Sequence, residues 1–419
     1  MAVTISVITL IVVVTVMMTY TVRHWIFSFA RVYGRQRLSL GDAYETDLPR
    51  ISVIVPMHDE ALVAAKCLTA ILATDYPVDK LEVLPVDDNS GDKTSEILET
   101  FALKDTRVRP VTIRSSQRGK PHALNVAIGR ATSDIVLVFD ADYLPGRGLF
   151  RSLVAGFIDP EVGAVMGRVV PMNTARSLLT RILSMERCGG YQVDQQARYN
   201  FNLLPQYGGT VGGFRRHLLE EIGGFSPVGL AEDTELTVAI FKRGWKIAYD
   251  NRAECYEEVP ETWASRFVQL RRWSRGHNRI AWGQLWPVVC APGLTGMQRL
   301  DAGLMIFCYM VPVLLLAGWI AALVLFLHGV LPFSGSVAMA FAVALYNAFG
   351  NFAPSYQAAT AEVMDGSTER LFLLPYFLYM FPFNWWSVVT GFIDAIGDGI
   401  KQRRGKWDKT QRSTAEATT

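Results

Sequence analysis

The sequence predicts an α/β domain with a mostly parallel sheet, flanked by transmembrane helices. Three observations carry that reading. Short β-rich runs alternate with helical segments between residues 51 and 140, the pattern of right-handed βαβ units. Ala2 to Val22 has no charged side chain, and between Arg299 and Lys401 the only Lys or Arg is Arg370. With 50% apolar and 19% charged residues among 419, the chain is neither disordered nor fibrous, and its charge falls short of the roughly 25% usual for soluble domains.

Residues 1–22 read as an N-terminal transmembrane anchor, because about twenty apolar residues suffice to cross the hydrocarbon core as a helix. The competing signal peptide needs a basic start and a small-residue cleavage site, and neither is present. Arg23, Arg31, Arg35 and Arg37 follow, placing the linker 23–50 and the globular residues after it in the cytoplasm.

Within the globular part, 51–262, residues 51–55 form a β-rich run ended by Pro56, and residues 60–74 have helical spacing of Leu62, Ala65, Leu68, Ile71 and Leu72. A second strand at 81–86, a helix at 94–103, a third strand at 108–113, a helix at 121–131 and a fourth strand at 135–139 follow. Ligands of such sheets bind outside the carboxyl ends of the strands. Asp87-Asp88-Asn89-Ser90 and Asp140-Ala141-Asp142 sit at those ends.

Residues 263–300 read as amphipathic interface helices, with Arg266, Arg271, Arg275 and Arg279 beside Trp263, Trp282 and Trp286. The C-terminal transmembrane region, 301–397, holds apolar stretches at 302–327, 337–352 and 371–396. The tail, 398–419, carries Lys401, Arg403, Arg404, Lys406, Lys409 and Arg412, so it too belongs in the cytoplasm. An even number of crossings must then separate the globular part from the tail. Residues 371–396 are accordingly expected as a hairpin or interfacial element, with a kinked helix at Pro382 or two short helices as the other readings. Cys67, Cys188, Cys255, Cys290 and Cys308 form no close pair and read as buried free thiols of a reducing compartment. The net charge of +2 gives no ground for a nucleic-acid partner.

Either acidic cluster alone is also an ordinary turn or helix cap. Two of them facing one crevice point to a nucleotide and a hard divalent metal held through carboxylate and phosphate oxygens. Lys120 follows Arg118-Gly119 at a helix start, where an ammonium and backbone donors meet phosphate, although such a loop is also commonly just solvated. Glu232-Asp233 opens a helix, as a dipole-stabilising pair or as a general base. Gln269, Arg272 and Trp273 share one helix face, offering an amide, a guanidinium for phosphate and an indole on which a sugar ring stacks.

In this order, Pro56-Met57-His58-Asp59-Glu60, Asp87-Asp88-Asn89-Ser90, Asp140-Ala141-Asp142, Glu232-Asp233 and Gln269-x-x-Arg272-Trp273 resemble the processive, membrane-embedded members of glycosyltransferase family 2. These include hyaluronan, chitin, cellulose and poly-N-acetylglucosamine synthases and the nodulation chitooligosaccharide synthases. The resemblance implies a Rossmann-like GT-A domain in the cytosol, at the cell (inner or plasma) membrane, using Mg²⁺ or Mn²⁺. It would transfer a sugar, N-acetylglucosamine or glucose, with inversion from a UDP-sugar donor to a glycan acceptor. By the same resemblance Asp59, Glu60, Asp87, Asp88, Lys120, Asp140, Gln269 and Arg272 bind the nucleotide sugar, and Asp142 with Asp140 holds the metal. Asp233, with Glu232 beside it, is the catalytic base; Trp273, Gly209 and Thr210 face the acceptor; Trp407 and Thr410 belong to a gating segment. Ala231 stands where Thr commonly precedes the acidic pair. The resemblance leaves open a homo-oligomer or an accessory subunit, a non-processive transfer of one sugar to a lipid acceptor, and a catalytically silent nucleotide or glycan receptor.

Overall fold

The computed structural model describes residues 1–37, 47–115, 117–227, 231–330 and 352–401. A long helix, α1 (Ala2–Tyr33), leads to strand β1 (Ile51–Met57). Helix α2 (Ala64–Leu72), strand β2 (Leu81–Asp88), helix α3 (Thr94–Lys104), strand β3 (Val111–Ile113), helix α4 (Lys120–Ile128) and strand β4 (Ile135–Val138) follow in the order the sequence predicts. β1 pairs in parallel with β2 and β4, and β2 with β3. Ile51 and Leu81 start the β1–β2 register, so Met57 ends beside Asp87.

Alternation along the strands divides the core. Ile54, Leu84, Val86, Val136 and Val138 meet α4 through Ala123, Leu124, Ala127 and Ile128. Val53, Val55, Val83, Leu137 and Phe139 meet α2 and α3 through Leu68, Ile71 and Leu98. Each face is dry, as expected of a parallel sheet covered on both sides.

Beyond Asp142 the structure adds β5 (Leu144–Pro145), α5 (Leu149–Ala155), β6 (Val162–Pro171), α6 (Leu178–Cys188), a π-helical turn (Gly189–Gln195), α7 (Gln196–Asn200), β7 (Gly212–Arg215), α8 (Arg216–Ile222), α9 (Glu232–Lys242) and β8 (Lys246–Glu257). The sheet order is β3-β2-β1-β4-β7-β6-β8-β5. It is mixed at this end: β7 runs antiparallel to β4 and β6, and β5 to β8, whereas β6 and β8 are parallel. The sequence hid β7 because its glycines look like a loop. They are strand residues chosen for close approach: a Cβ on Gly213 would lie 2.7 Å from Leu137 Cδ2, and one on Gly212 only 2.7 Å from Tyr207 Cδ2.

The chain continues through α10 (Trp263–Val289), α11 (Gly296–Phe307), α12 (Val311–Leu327), α13 (352–364) and α14 (Phe377–Lys401). Two stretches, Ala2–Tyr33 and Gly296–Leu327, are helices long and apolar enough to cross a membrane. They run antiparallel, with Val13 against Gly318, Tyr20 Oη donating to Leu304 O and Arg23 Nε donating to Asp301 Oδ1 at 2.8 Å. Ile5, Ile8, Ile11, Trp319, Ile320 and Leu323 face outward.

Of the readings for 371–396, a hairpin or interfacial element, a helix kinked at Pro382, or two short helices, the structure shows no hairpin among these described residues: a short 3₁₀ segment, Thr368–Tyr376, is followed by one 25-residue helix that contains Pro382. Proline removes one helical hydrogen bond there, while contacts with α10 hold the rest. Arg271 pairs with Asp394 and Arg275 with Asp398, each at 2.5 Å, and Ser274 Oγ donates to Val388 O at 2.7 Å. Gly391 lets the backbones meet, since a Cβ there would lie 2.7 Å from Ser274 Cβ. Cys67, Cys188 and Cys255 are buried as expected, but Cys290 and Cys308 are exposed on the α10–α12 segment, whose apolar surface faces outward.

Candidate active site

The carboxyl ends of β1, β2 and β4 open into a cleft of about 1420 Å³. Ordinary small-molecule pockets occupy roughly 300–1000 Å³, so this one has room for two reactants. Of the residues singled out from sequence, Asp59, Glu60, Asp88, Lys120, Asp140, Asp142, Gly209, Thr210, Glu232, Asp233, Gln269, Arg272 and Trp273 line it. Asp87 does not. Its carboxylate accepts from Ser90 N at 3.0 Å and from Ser95 Oγ, which makes it the turn former that its residue type also allowed. Trp407 and Thr410 lie outside the described residues.

At one end of the cleft two loops interlock. Asp59 and Asn89 take left-handed φ values of 53° and 54°. Asp59 N donates to Ser90 Oγ at 3.1 Å, and Gly91 N donates to Asp59 Oδ1 at 2.7 Å. Gly119, at φ 116°, donates its N–H to Asp88 Oδ2 at 2.7 Å. That bond joins the end of β2 to the start of α4, where Lys120 is the first residue.

The centre is a concentration of charge. Lys120 Nζ lies 2.6 Å from Asp140 Oδ1 and donates to Gly209 O at 2.8 Å. Burial disfavours its charge, yet Asp140, Glu232 and Asp233 outweigh burial and hold the ammonium more firmly protonated. Asp140 N donates to Thr210 Oγ1 at 3.2 Å. Gly209, at φ 87°, threads between the charges: a Cβ there would stand 3.2 Å from Asp233 Oδ2 and 3.4 Å from Lys120 Nζ.

Glu232 and Asp233 open α9, with Thr234 N donating to Asp233 Oδ1 at 2.7 Å. Burial pushes Glu232 up to about 7, with Lys120 pulling it down and Asp233 pushing it further up. Asp233 is raised by burial, against the Thr234 N–H. Arg272 is lowered by burial and supported by Glu232, Asp140 and Asp233, so a guanidinium and an ammonium share one pocket with three carboxylates.

Other residues that the sequence reading did not single out complete the wall. Arg187 Nε pairs with Glu257 Oε1 at 2.7 Å, and Tyr143 Oη donates to Glu257 Oε2 at 2.6 Å. Arg187 and Arg266 stand 5.3 and 5.5 Å from the Trp273 ring centre, a cation–π pair that fixes the indole. Arg266 Nη1 donates to Gln269 Oε1 at 2.8 Å, and its Nη2 to Glu186 Oε1 at 2.5 Å. His277 stacks on Tyr309 with ring centres 4.6 Å apart and planes within 3°, and burial lowers its imidazole to about 4. Tyr309 belongs to the Gly296–Leu327 stretch, so the apolar helices contribute to the cleft. Arg266 stands behind the cleft wall at helical spacing from Gln269 and Trp273, and the sequence places it only on an interface helix, whereas Tyr143, Arg187, Glu257 and Tyr309 are brought to the site by the tertiary fold.

No group of three or more His, Cys, Asp or Glu side chains among the described residues is arranged to hold a metal ion by itself. Asp140 and Asp142 offer hard carboxylate oxygens on the cleft wall. Such a pair suits a cation that takes its remaining ligands from phosphate and water.

Residues 49–276 match the glycosyltransferase like family 2. The chain is 34% identical over 237 residues to the probable glycosyltransferase YdaM of Bacillus subtilis, covering 56% of each chain. It is 28% identical over 290 residues to the beta-monoglucosyldiacylglycerol synthase of Synechocystis, covering 67% of this chain and 60% of that one. It is 26% identical over 297 residues to an N-acetylglucosaminyltransferase of Rhizobium leguminosarum bv. viciae, covering 68% and 69%. The first two relatives are thus matched over less than two thirds of their length. Among solved structures, the mannosyltransferase PcManGT from Pyrobaculum calidifontis, in complex with GDP-Man and Mn²⁺, superposes with a TM-score of 0.60 at 24% identity, covering 86% of this chain and 98% of that one. That likeness bears on the fold, a GT-A-like α/β domain with a mostly parallel, curled sheet. With more than half of the chain matched, the protein belongs to glycosyltransferase family 2.

Proposed function

We propose that the protein is a membrane-embedded, inverting β-glycosyltransferase that extends a glycan processively from a UDP-sugar, carrying N-acetylglucosamine or glucose, at the cytoplasmic face. The observation that carries this is the pairing, in one cleft, of a buried acid pair at Glu232-Asp233 with the cations Lys120 and Arg272. The acceptor hydroxyl oxygen forms a bond to the anomeric carbon while the bond from that carbon to the diphosphate oxygen breaks. The bonding electrons leave with UDP, and the hydroxyl proton passes to Asp233. Asp233, raised by burial, is a stronger base than an exposed carboxylate. Lys120 and Arg272 stabilise the charge that develops on the departing diphosphate. Asp140 and Asp142 would hold Mg²⁺ or Mn²⁺, which when bound supplies further neutralisation of that charge. Trp273, held by Arg187 and Arg266, offers its ring to the acceptor sugar.

The packing of the helices supports a three-crossing topology. Val13 meets Gly318, so α12 ends level with the start of α1, whereas His24 meets Gln357 near the other end of α1. Gly318 and Gln357 thus meet α1 toward opposite ends, which supports two crossings after the catalytic domain. With α14 bound along α10, the described chain ends at residue 401 on the side of the catalytic domain, which supports the cytoplasmic placement expected of the basic residues that follow.

A second reading, transfer of one sugar to a lipid, is favoured by Tyr309 reaching the cleft from an apolar helix and by the relative named as a diacylglycerol glycolipid synthase. Purified membranes given a panel of UDP-sugars, followed by sizing of the product and digestion with linkage-specific glycosidases, separate the two. A polymer supports processive synthesis, and a single glycosylated lipid supports the second reading. Release of UDP should stop with a chelator; turnover that persists without divalent metal would remove the metal from the scheme.

A further inference from the structure

The π-helical turn Gly189–Gln195 interrupts an otherwise continuous helix from Leu178 to Asn200. Such wide turns are rare, and a costly local geometry persists where surrounding contacts over-determine it. Here several of those contacts come from the helices outside the catalytic domain. Arg31 of α1 donates through Nε to Gln192 O at 2.7 Å and through Nη2 to Gln192 Oε1 at 3.2 Å. Gln357 of α13 donates to Gly189 O at 3.1 Å. Arg23 of α1 pairs with Asp194 at 2.8 Å while its Nε holds Asp301 of α11. From the sheet, Tyr249 donates to Tyr191 O at 3.0 Å and Asn251 Nδ2 to Gln192 Oε1 at 2.6 Å.

From the same turn a hydrogen-bonded path runs to the acid pair. The Gln195 side chain donates through Nε2 to Gln206 O and accepts at Oε1 from Gln206 N, each at 2.9 Å. Gln206 Nε2 donates to Thr234 Oγ1 at 2.9 Å, and Thr234 N donates to Asp233 Oδ1 at 2.7 Å.

We propose that the π-helical turn is the element through which the membrane helices position Asp233, with Arg23, Arg31 and Gln206 as positioning residues. The consequence for catalysis rests on the reading of Asp233 as the base. Misplacing a reacting group by about 1 Å costs on the order of 100-fold in rate, so a strut of this kind controls turnover without touching the donor. It also makes α1 a working part of the enzyme as well as an anchor.

The test uses the full-length protein in lipid nanodiscs. Turnover and donor KM are measured by UDP release, UDP affinity by titration, and backbone hydrogen exchange across Gly189–Gln195 and the first turns of α9. Arg31→Gln and Gln206→Ala should each lower kcat about 10-fold or more, leaving donor KM and UDP affinity unchanged. Arg31→Gln should speed exchange in the turn and at the start of α9 together. Arg31→Lys keeps a donor for Gln192 and should restore most of the rate. An Arg31→Gln enzyme with faster exchange in the turn but wild-type kcat and wild-type exchange in α9 overturns the proposal. So does a joint loss of kcat, UDP affinity and thermal stability that lysine does not relieve, because that is general unfolding. If Asp233→Asn retains turnover, the base assignment fails by itself, while coupled exchange from Arg31 to α9 still reports on the strut.

Discussion

Replacing Lys120 with methionine probes the centre of the cleft. The ammonium sits 2.6 Å from Asp140 Oδ1, with side-chain exposures of 21% and 30% for the two partners. Exposed ion pairs contribute about 0–1 kcal/mol, and removing one partner of a fully buried pair costs about 3–5 kcal/mol. This half-buried pair should fall between, so Lys120→Met is expected to destabilise the fold by about 2 kcal/mol. Asp140→Asn should cost a similar amount, and the double variant should recover about 1–2 kcal/mol of coupling rather than show the sum. Lys120 also pulls Glu232 down. Without it the acid pair rises further, and a base works only above its own pKa. The acid limb of the kcat profile, governed by the Asp233 base that Lys120 also pulls down, should therefore move to higher pH in Lys120→Met. Equilibrium denaturation in micelles gives the cycle, and UDP release between pH 5 and about 9 gives the limb. Additive single effects, or a limb that stays in place, would refute the claim that Lys120 neutralises this carboxylate cluster.

Three other perturbations follow from the same geometry. Asp233→Asn should cut turnover on the order of 100-fold or more while UDP still binds in calorimetry; near-wild-type turnover would remove Asp233 as the base. Trp273→Ala should spare UDP affinity and shorten the product if the indole stacks on the acceptor sugar as proposed; equal loss of both would show that the ring holds the donor. Gly209→Ala places a Cβ 3.2 Å from Asp233 Oδ2 at φ 87°, so it should cost about 1 kcal/mol or more of stability and slow transfer. Unchanged kcat and denaturation midpoint there would mean that the loop has room to shift.

How much was legible beforehand depended on where each signal resides. β1, β2 and β4 were readable because each is a short, locally apolar run buried on both faces, and the polar clusters Asp87-Asp88 and Asp140-Ala141-Asp142 had to fall at the ends of those runs; the edge strand β3 buries Val111 and Ile113 and exposes Thr112 between them. The second half of the sheet was not readable. β6 and β7 contain Gly163, Gly167, Gly212 and Gly213, whose lack of a side chain answers to neighbours far along the chain, such as Leu137, Trp245 and Ala253. Asp87 shows the limit of motif reading: it has the same residue type and strand end as Asp88, yet its carboxylate turns back onto Ser90 and Ser95.

The sequence by itself determined the apolar helices, the parallel half-sheet, the family motifs and the order in which they occur, because all of these are written in local composition and spacing. The tertiary fold alone shows that Phe377–Lys401 forms one helix along α10, that Arg187 comes to stand over Trp273, and that α1 reaches the catalytic domain through Arg23 and Arg31. Those facts depend on which charged groups find partners once water is excluded. A guanidinium buried beside a carboxylate 171 positions away, as Arg23 is beside Asp194, leaves no periodic trace in the chain that encodes it.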